Sequence, residues 1–188
     1  SVDIPLFSVI FGLFDALVGG KGKAVIPLGG KLAAGTANLG GGTDSLTLGN
    51  FANTLTASNI ETITGGTSDD VVVIGNSAVG VTVNLGAGTD SLTLGDFANT
   101  LTIIGVENFT AGTSTDIVTL GAAANQSVDL GAGTDTLILG NFANTVTVTN
   151  IETVTGGTSA DAVVLGSAFT GTVNLGSGTD SLTLGDFA

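Results

Sequence analysis

The 188-residue chain carries 16 acidic and 3 basic side chains, a formal charge of −13, and no Cys, Met, Trp, Tyr or His. Lys21, Lys23 and Lys31 are its only cations and all but Asp3 and Asp15 of its acids lie beyond them, so the remainder is purely anionic. That excludes nucleic acid as a partner, disfavours docking to an anionic membrane, and leaves no nucleophile–base pair for covalent catalysis.

Hydrophobic residues make up 43% despite 31 glycines, too many for a disordered acidic tail. The absence of cysteine leaves the redox compartment open. The first segment, 1–20, contains the apolar run Ile4–Val18 with three of the nine Phe residues. Asp3 and Pro5 suit a helix start and Gly19–Gly20 an end, so the run is expected to be helical. It is shorter than the roughly 20 residues that span a bilayer, and Asp15 interrupts it, so no transmembrane span is expected. Its expected role is a cap over the first coil, or a segment that contacts another molecule. Residues 21–37 read as a glycine-rich connection around Ala24–Leu28, which Pro27 confines to an edge or first strand.

From residue 38 to 188 the sequence repeats itself. Units 39–84, 85–129 and 130–174 begin at Leu39, Leu85 and Leu130, with a partial fourth at 175–188. Self-similarity at this period marks a solenoid or array. Asp90 opens DSLTLGDFAN and Asp116 opens DIVTLGAAAN, so each unit divides into two similar halves. This predicts two coils per 45-residue repeat, with about 22–23 residues per coil. Leu92, Leu94, Val118, Leu120, Leu182 and Leu184 alternate with Thr93, Thr119 and Thr183, a period of two that predicts strands with the aliphatic side chains inward. The expected fold is an all-β, right-handed parallel β-solenoid, the hand following from the bias of parallel crossovers.

Equivalent residues of successive coils are expected to stack in columns. Phe51, Phe97, Phe142 and Phe187 would form one column inside a corner, and Asn53, Asn99 and Asn144 a second, serving the turns. Glu61, Glu107 and Glu152 would lie on a solvated face. Outward threonines (Thr47, Thr93, Thr119, Thr183) are frequent but alternate with Val73, Ile138 and Val164, which weakens a regular ice-matching array.

One aspartate per expected coil follows a glycine-bearing turn: Asp44, Asp70, Asp90, Asp116, Asp135, Asp161 and Asp180. The stretches GGTSDDVVV (65–73), AGTSTDIVT (111–119) and GGTSADAVV (156–164), with the variants LGGGTDSLT, LGAGTDSLT, LGAGTDTLI and LGSGTDSLT, resemble the RTX, or hemolysin-type calcium-binding, repeat G-G-x-G-x-D-x-U-x. The resemblance covers 39–188. It implies Ca2+ held by turn carbonyls and by these seven aspartates, in an extracellular protein of a bacterial cell surface or matrix. Two departures stand out: Leu replaces the first glycine in one class of turn, and Ser the fourth position in the other. The expected coil also exceeds two nonapeptides, which predicts a wide solenoid with calcium along one edge. The functional expectation is a non-catalytic, secreted structural repeat protein of a filament, matrix or biofilm. It would self-assemble head-to-tail, with the 4–18 segment covering the C-terminal coil of the next copy. A spacer, adhesion or ice-binding module of a larger protein is the alternative.

Overall fold

The computed structural model describes residues 16–187. Nineteen strands follow one another: β1 (Ala16–Val18), β2 (Val25–Pro27), β3 (Ala33–Asn38), β4 (Ser45–Thr47), β5 (Thr54–Ser58), β6 (Thr62–Gly66), β7 (Val71–Ile74), β8 (Val79–Gly86), β9 (Ser91–Leu94) and β10 (Thr100–Ile104) come first. Then come β11 (Asn108–Thr110), β12 (Ile117–Leu120), β13 (Asn125–Asp129), β14 (Thr136–Ile138), β15 (Thr145–Thr149), β16 (Thr153–Gly157), β17 (Ala162–Leu165), β18 (Thr172–Gly176) and β19 (Ser181–Leu184). Odd-numbered strands form a ten-stranded sheet and even-numbered strands a nine-stranded sheet, both parallel throughout and each in sequence order. The chain therefore winds as a parallel β-solenoid, alternating between the two sheets.

The strands are short and broken by glycine turns, so no single strand can hold a core. Stacking supplies one. Leu46, Leu92 and Leu137 are fully or almost fully buried between the sheets, and Leu55, Val72, Val118, Val128 and Val163 join the same cluster. Each truncation of such an aliphatic side chain to Ala typically costs about 2–5 kcal/mol. Intervening Thr, Ser and Val residues face outward, as the alternation predicts. Leu182 and Leu184 share that phase but are exposed, because β19 is the last strand of its sheet.

The coil is smaller than the sequence suggests. From Leu55 through Val72, Leu92, Phe109, Val128, Val148 and Leu165 to Leu184, seven coils take 129 residues, between 18 and 19 each. The expected coil of 22–23 residues, with two coils per repeat, is thus corrected. A repeat contains five strands, hence two and a half coils: Leu46, Leu92, Leu137 and Leu182 lie on β4, β9, β14 and β19. Equivalent residues of successive repeats alternate between the sheets, and the same sheet recurs only after two repeats. The expected columns of Phe and Asn therefore do not form.

Phe51, Phe97, Phe142 and Phe187 sit on corners, between 40 and 46% exposed, not inside. Among the described residues the buried aromatic is Phe109 on β11, at 2% exposure. Ile63 and Val154 occupy the equivalent positions in the flanking repeats, so no spacing in the sequence marks it.

The apolar run expected as a helix lies outside the described residues, except for Ala16–Val18. Those three are a strand, paired with Thr36, Ala37 and Asn38 of β3. Residues 21–37, expected as a connection, already contribute β2 and part of β3. Pro27 does lie on an outermost strand, β2, where its missing N–H costs no ladder bond. Among the described residues no helix is long and apolar enough to cross a membrane.

Phe109→Ala is expected to cost about 3–5 kcal/mol, and Phe97→Ala about 1 kcal/mol or less. Urea denaturation of both variants beside the parent measures this. Equal losses would contradict the corner placement of Phe97.

Candidate metal centre

In D-x-L-x-L the aspartate shares the phase of the leucines, so its side chain turns inward at the corner where a strand begins. Asp44, Asp70, Asp90, Asp116, Asp135 and Asp161 are all no more than 2% exposed. Asp180 is half-buried. Because a repeat holds an odd number of strands, these seven fall on two corners and not one edge. Asp70, Asp90, Asp161 and Asp180 precede strands of the first sheet, while Asp44, Asp116 and Asp135 precede strands of the second. Calcium along a single edge is therefore corrected to candidate positions on both.

The aspartates do not stand alone. Along the first corner the backbone N–H of Leu32 donates to Asn53, that of Asn53 to Asp70, that of Asp70 to Asp90 and that of Asp90 to Glu107, at 2.7 to 2.9 Å. The series restarts with Ala124 to Asn144, Asn144 to Asp161 and Asp161 to Asp180, at 2.9 to 3.1 Å. On the second corner Ala24 donates to Asp44 and Asp44 to Glu61, both at 2.6 Å. There too the series restarts, with Ala78, Asn99, Asp116 and Asp135 donating in turn to Asn99, Asp116, Asp135 and Glu152, at 2.7 to 2.9 Å. Each complete series reads Asn–Asp–Asp–Glu over four coils. The asparagine amide adds a second donor to the next aspartate, as from Asn99 Nδ2 to Asp116 Oδ1 at 2.8 Å.

Two expectations change here. Asn53 and Asn144 share a corner, but Asn99 lies on the other, and all three belong to the aspartate ladder. Glu61, Glu107 and Glu152 are half-buried acceptors for the N–H of Asp44, Asp90 and Asp135, not members of a solvated face. Just before each glutamate the chain turns through a left-handed residue, Asn59 (φ 53°), Gly105 (φ 57°) or Asn150 (φ 53°). Asn and Gly are the residues that adopt this backbone at least cost. The shared N-I-E and G-V-E spacing was the signal that could have assigned the glutamates to corners.

The other carboxylate oxygen is the unusual one. Oδ2 of Asp44, Asp70, Asp90, Asp116, Asp135 and Asp161 is buried and accepts no hydrogen bond. Burying a charge without a partner is costly, and no Lys or Arg lies in the array to offset it. Burial, with the neighbouring carboxylates adding to it, pushes Asp90 (beside Asp70 and Glu107) and Asp135 (beside Asp116 and Glu152) up to about 6. A divalent cation would relieve the same stress. The donor set suits Ca2+ in kind, being all oxygen and next to glycine-bearing turns. Among the described residues no three carboxylates converge on one point, so any ion would draw on a stacked pair and on main-chain oxygens.

Comparison with protein-family models, with curated proteins and with solved structures finds no match for this chain.

Two outcomes follow for the metal-free protein. Asp90 and Asp135 have folded-state values above their ordinary 3.8, so their contribution to stability is complete below that value and is lost as pH rises towards about 6. Melting temperature should therefore fall over that window and level off above it, and the double variant Asp90→Asn, Asp135→Asn should show a flatter profile. Glu107→Ala leaves the buried N–H of Asp90 without an acceptor and should cost about 1–3 kcal/mol, whereas Glu107→Gln, which keeps an acceptor, should cost less. Chemical denaturation of the two variants separates these.

Proposed function

We propose that this chain is a non-catalytic structural solenoid of the extracellular space, stabilised by Ca2+ at its two corners. One observation carries the reading: six inward aspartates each keep a buried oxygen without a protein partner, in an array that contains no cation. The stacked pairs Asp70 and Asp90, Asp116 and Asp135, and Asp161 and Asp180 are the residues that would hold the ions, with Asp44 beside Glu61 as a fourth position. The RTX-like turns support the same assignment, and the compact coil brings it nearer to that repeat than the sequence alone indicated. The right-handed winding favoured by parallel crossovers belongs to this reading.

A passive role agrees with the chemistry. The repeats lack His, Cys and Lys, and their acids recur as an equal series with no member distinguished as a reacting group. A rod of this kind suits a secreted matrix or cell-surface component, with copies arranged head-to-tail. The outermost strands β1, β2, β18 and β19 are each paired on one side within the described residues, and a rung of the same shape fits them.

Calorimetric titration of the chelated protein with CaCl2, paired with melting curves, tests the reading. Binding to the folded state should raise the melting temperature with ligand concentration, and Asp116→Asn should remove part of the bound metal while the β-sheet circular dichroism persists. A melting temperature indifferent to chelator and to added calcium would exclude the assignment.

A further inference from the structure

The two broad faces of the solenoid are not alike. On the second sheet Thr62, Thr82, Thr102, Thr119, Ile138 and Thr155 stand in one register column along the axis. Ile117, 37% exposed, lies beside it. No outward residue from β4 to β18 in this sheet is charged. On the first sheet, by contrast, Asp129 of β13 faces outward and its carboxylate accepts the side-chain amide of Asn150. The counterparts of Asp129 in the flanking repeats, Asn84 and Asn174, are neutral and fall on the second sheet. The protein's other described carboxylates lie at corners and turns, so Asp129 is the one charged residue within the described strands of either sheet. Broad surfaces that must stay single are normally interspersed with charged side chains.

We propose that the outward face of the second sheet packs against the same face of a second copy, in an isologous two-fold contact. Three observations select that occupant. The face offers no charge, so neither a cationic nor an anionic partner gains attraction from it. It has no aromatic residue on which a sugar or a base could stack. Its Thr and Ile side chains stand in straight columns on a pleat, and the surface that interdigitates with such a pleat is another sheet, about 10 Å away. Nine strands at about 4.8 Å, each presenting about five residues at about 3.3 Å, offer roughly 700 Å2 from each copy before twist is allowed for, and so clear the roughly 1,000 Å2 total expected of a specific interface. The first sheet is unsuited to the same contact, because Asp129 would be enclosed in an array that has no cation to meet it. This contact is lateral. It is independent of metal at the corners and of any head-to-tail arrangement.

Light scattering over a concentration series, with calcium and with chelator, tests it. The protein is expected to show twice its monomer mass, and the double variant Thr102→Lys, Thr119→Lys to stay monomeric. The variant Thr93→Lys, Thr147→Lys, on the first sheet, should still dimerise. Since the chain has no cysteine, Thr119→Cys and Thr93→Cys each accept a single spin label. Electron–electron distances should show a short inter-chain separation at 119 and none at 93, a readout that survives if a lysine variant fails to fold. A parent that stays monomeric throughout would overturn the proposal, as would dimers broken only by the first-sheet variant. A monomer that instead produced thermal hysteresis would overturn it too, and would give the threonine columns to ordered water.

Discussion

The whole winding depends on one hydrogen bond, the one that carries a corner N–H of one coil onto a side-chain oxygen of the next. Within each sheet the backbone satisfies itself through parallel ladders. At the corners the chain turns away from its neighbour, and an N–H there would be buried and unpaired. An inward Asn, Asp or Glu fills that gap, so the strand ladder continues through a side chain where the backbone cannot reach. Losing such an acceptor exposes the full desolvation penalty of the donor, which is why every corner residue that accepts one of these N–H groups is Asn, Asp or Glu.

That solution has its own cost. A carboxylate has two oxygens, and the ladder uses one. The second is left buried without a partner, with another carboxylate one coil away. Asparagine, which opens each complete series, avoids the problem because it brings no charge. Glutamate, which closes each complete series, is long enough to reach the N–H from a half-buried position and keep part of its group near water. The stress is concentrated on the two middle members, and most on Asp90 and Asp135, which have a carboxylate on either side. Beyond Glu61 the register slips, at Thr100 and Leu101 against Val79 and Val81, and the ladder begins again from Asn99. No more than three carboxylates are thus stacked without interruption.

The alternation that turns Leu92, Leu94, Val118 and Leu120 inward could be read directly from the sequence, and so could the parallel solenoid; the sequence places the aspartates only at turns, and their inward burial is a finding of the structure. Coil length could not be read there, because the two most similar stretches of each repeat, DSLTLGDFAN and DIVTLGAAAN, are not one coil apart. Asp90 and Asp116 lie on opposite corners, one and a half coils apart, with β9, β10 and the three-residue β11 between them. Counting strand-like pieces within the unit, rather than its best internal match, gives five. The phenylalanines misled for a related reason. Regular spacing shows that a position is equivalent from repeat to repeat, but not which side of the backbone it occupies. Corner residues such as Phe97 obey no period of two.

The odd number of strands per repeat has a genetic consequence. Tandem arrays change length by gaining or losing whole units during replication. Here the loss of one unit removes two and a half turns, so everything downstream is carried half a turn around the axis and changes sheet. The core tolerates this, because Leu46 and Leu92 are equally at home in either sheet. The surface does not stay the same, since what faced one way now faces the other. Gains or losses of two units preserve the faces, and single events invert them. Parity of copy number, rather than copy number itself, is then the quantity on which selection for a surface would act.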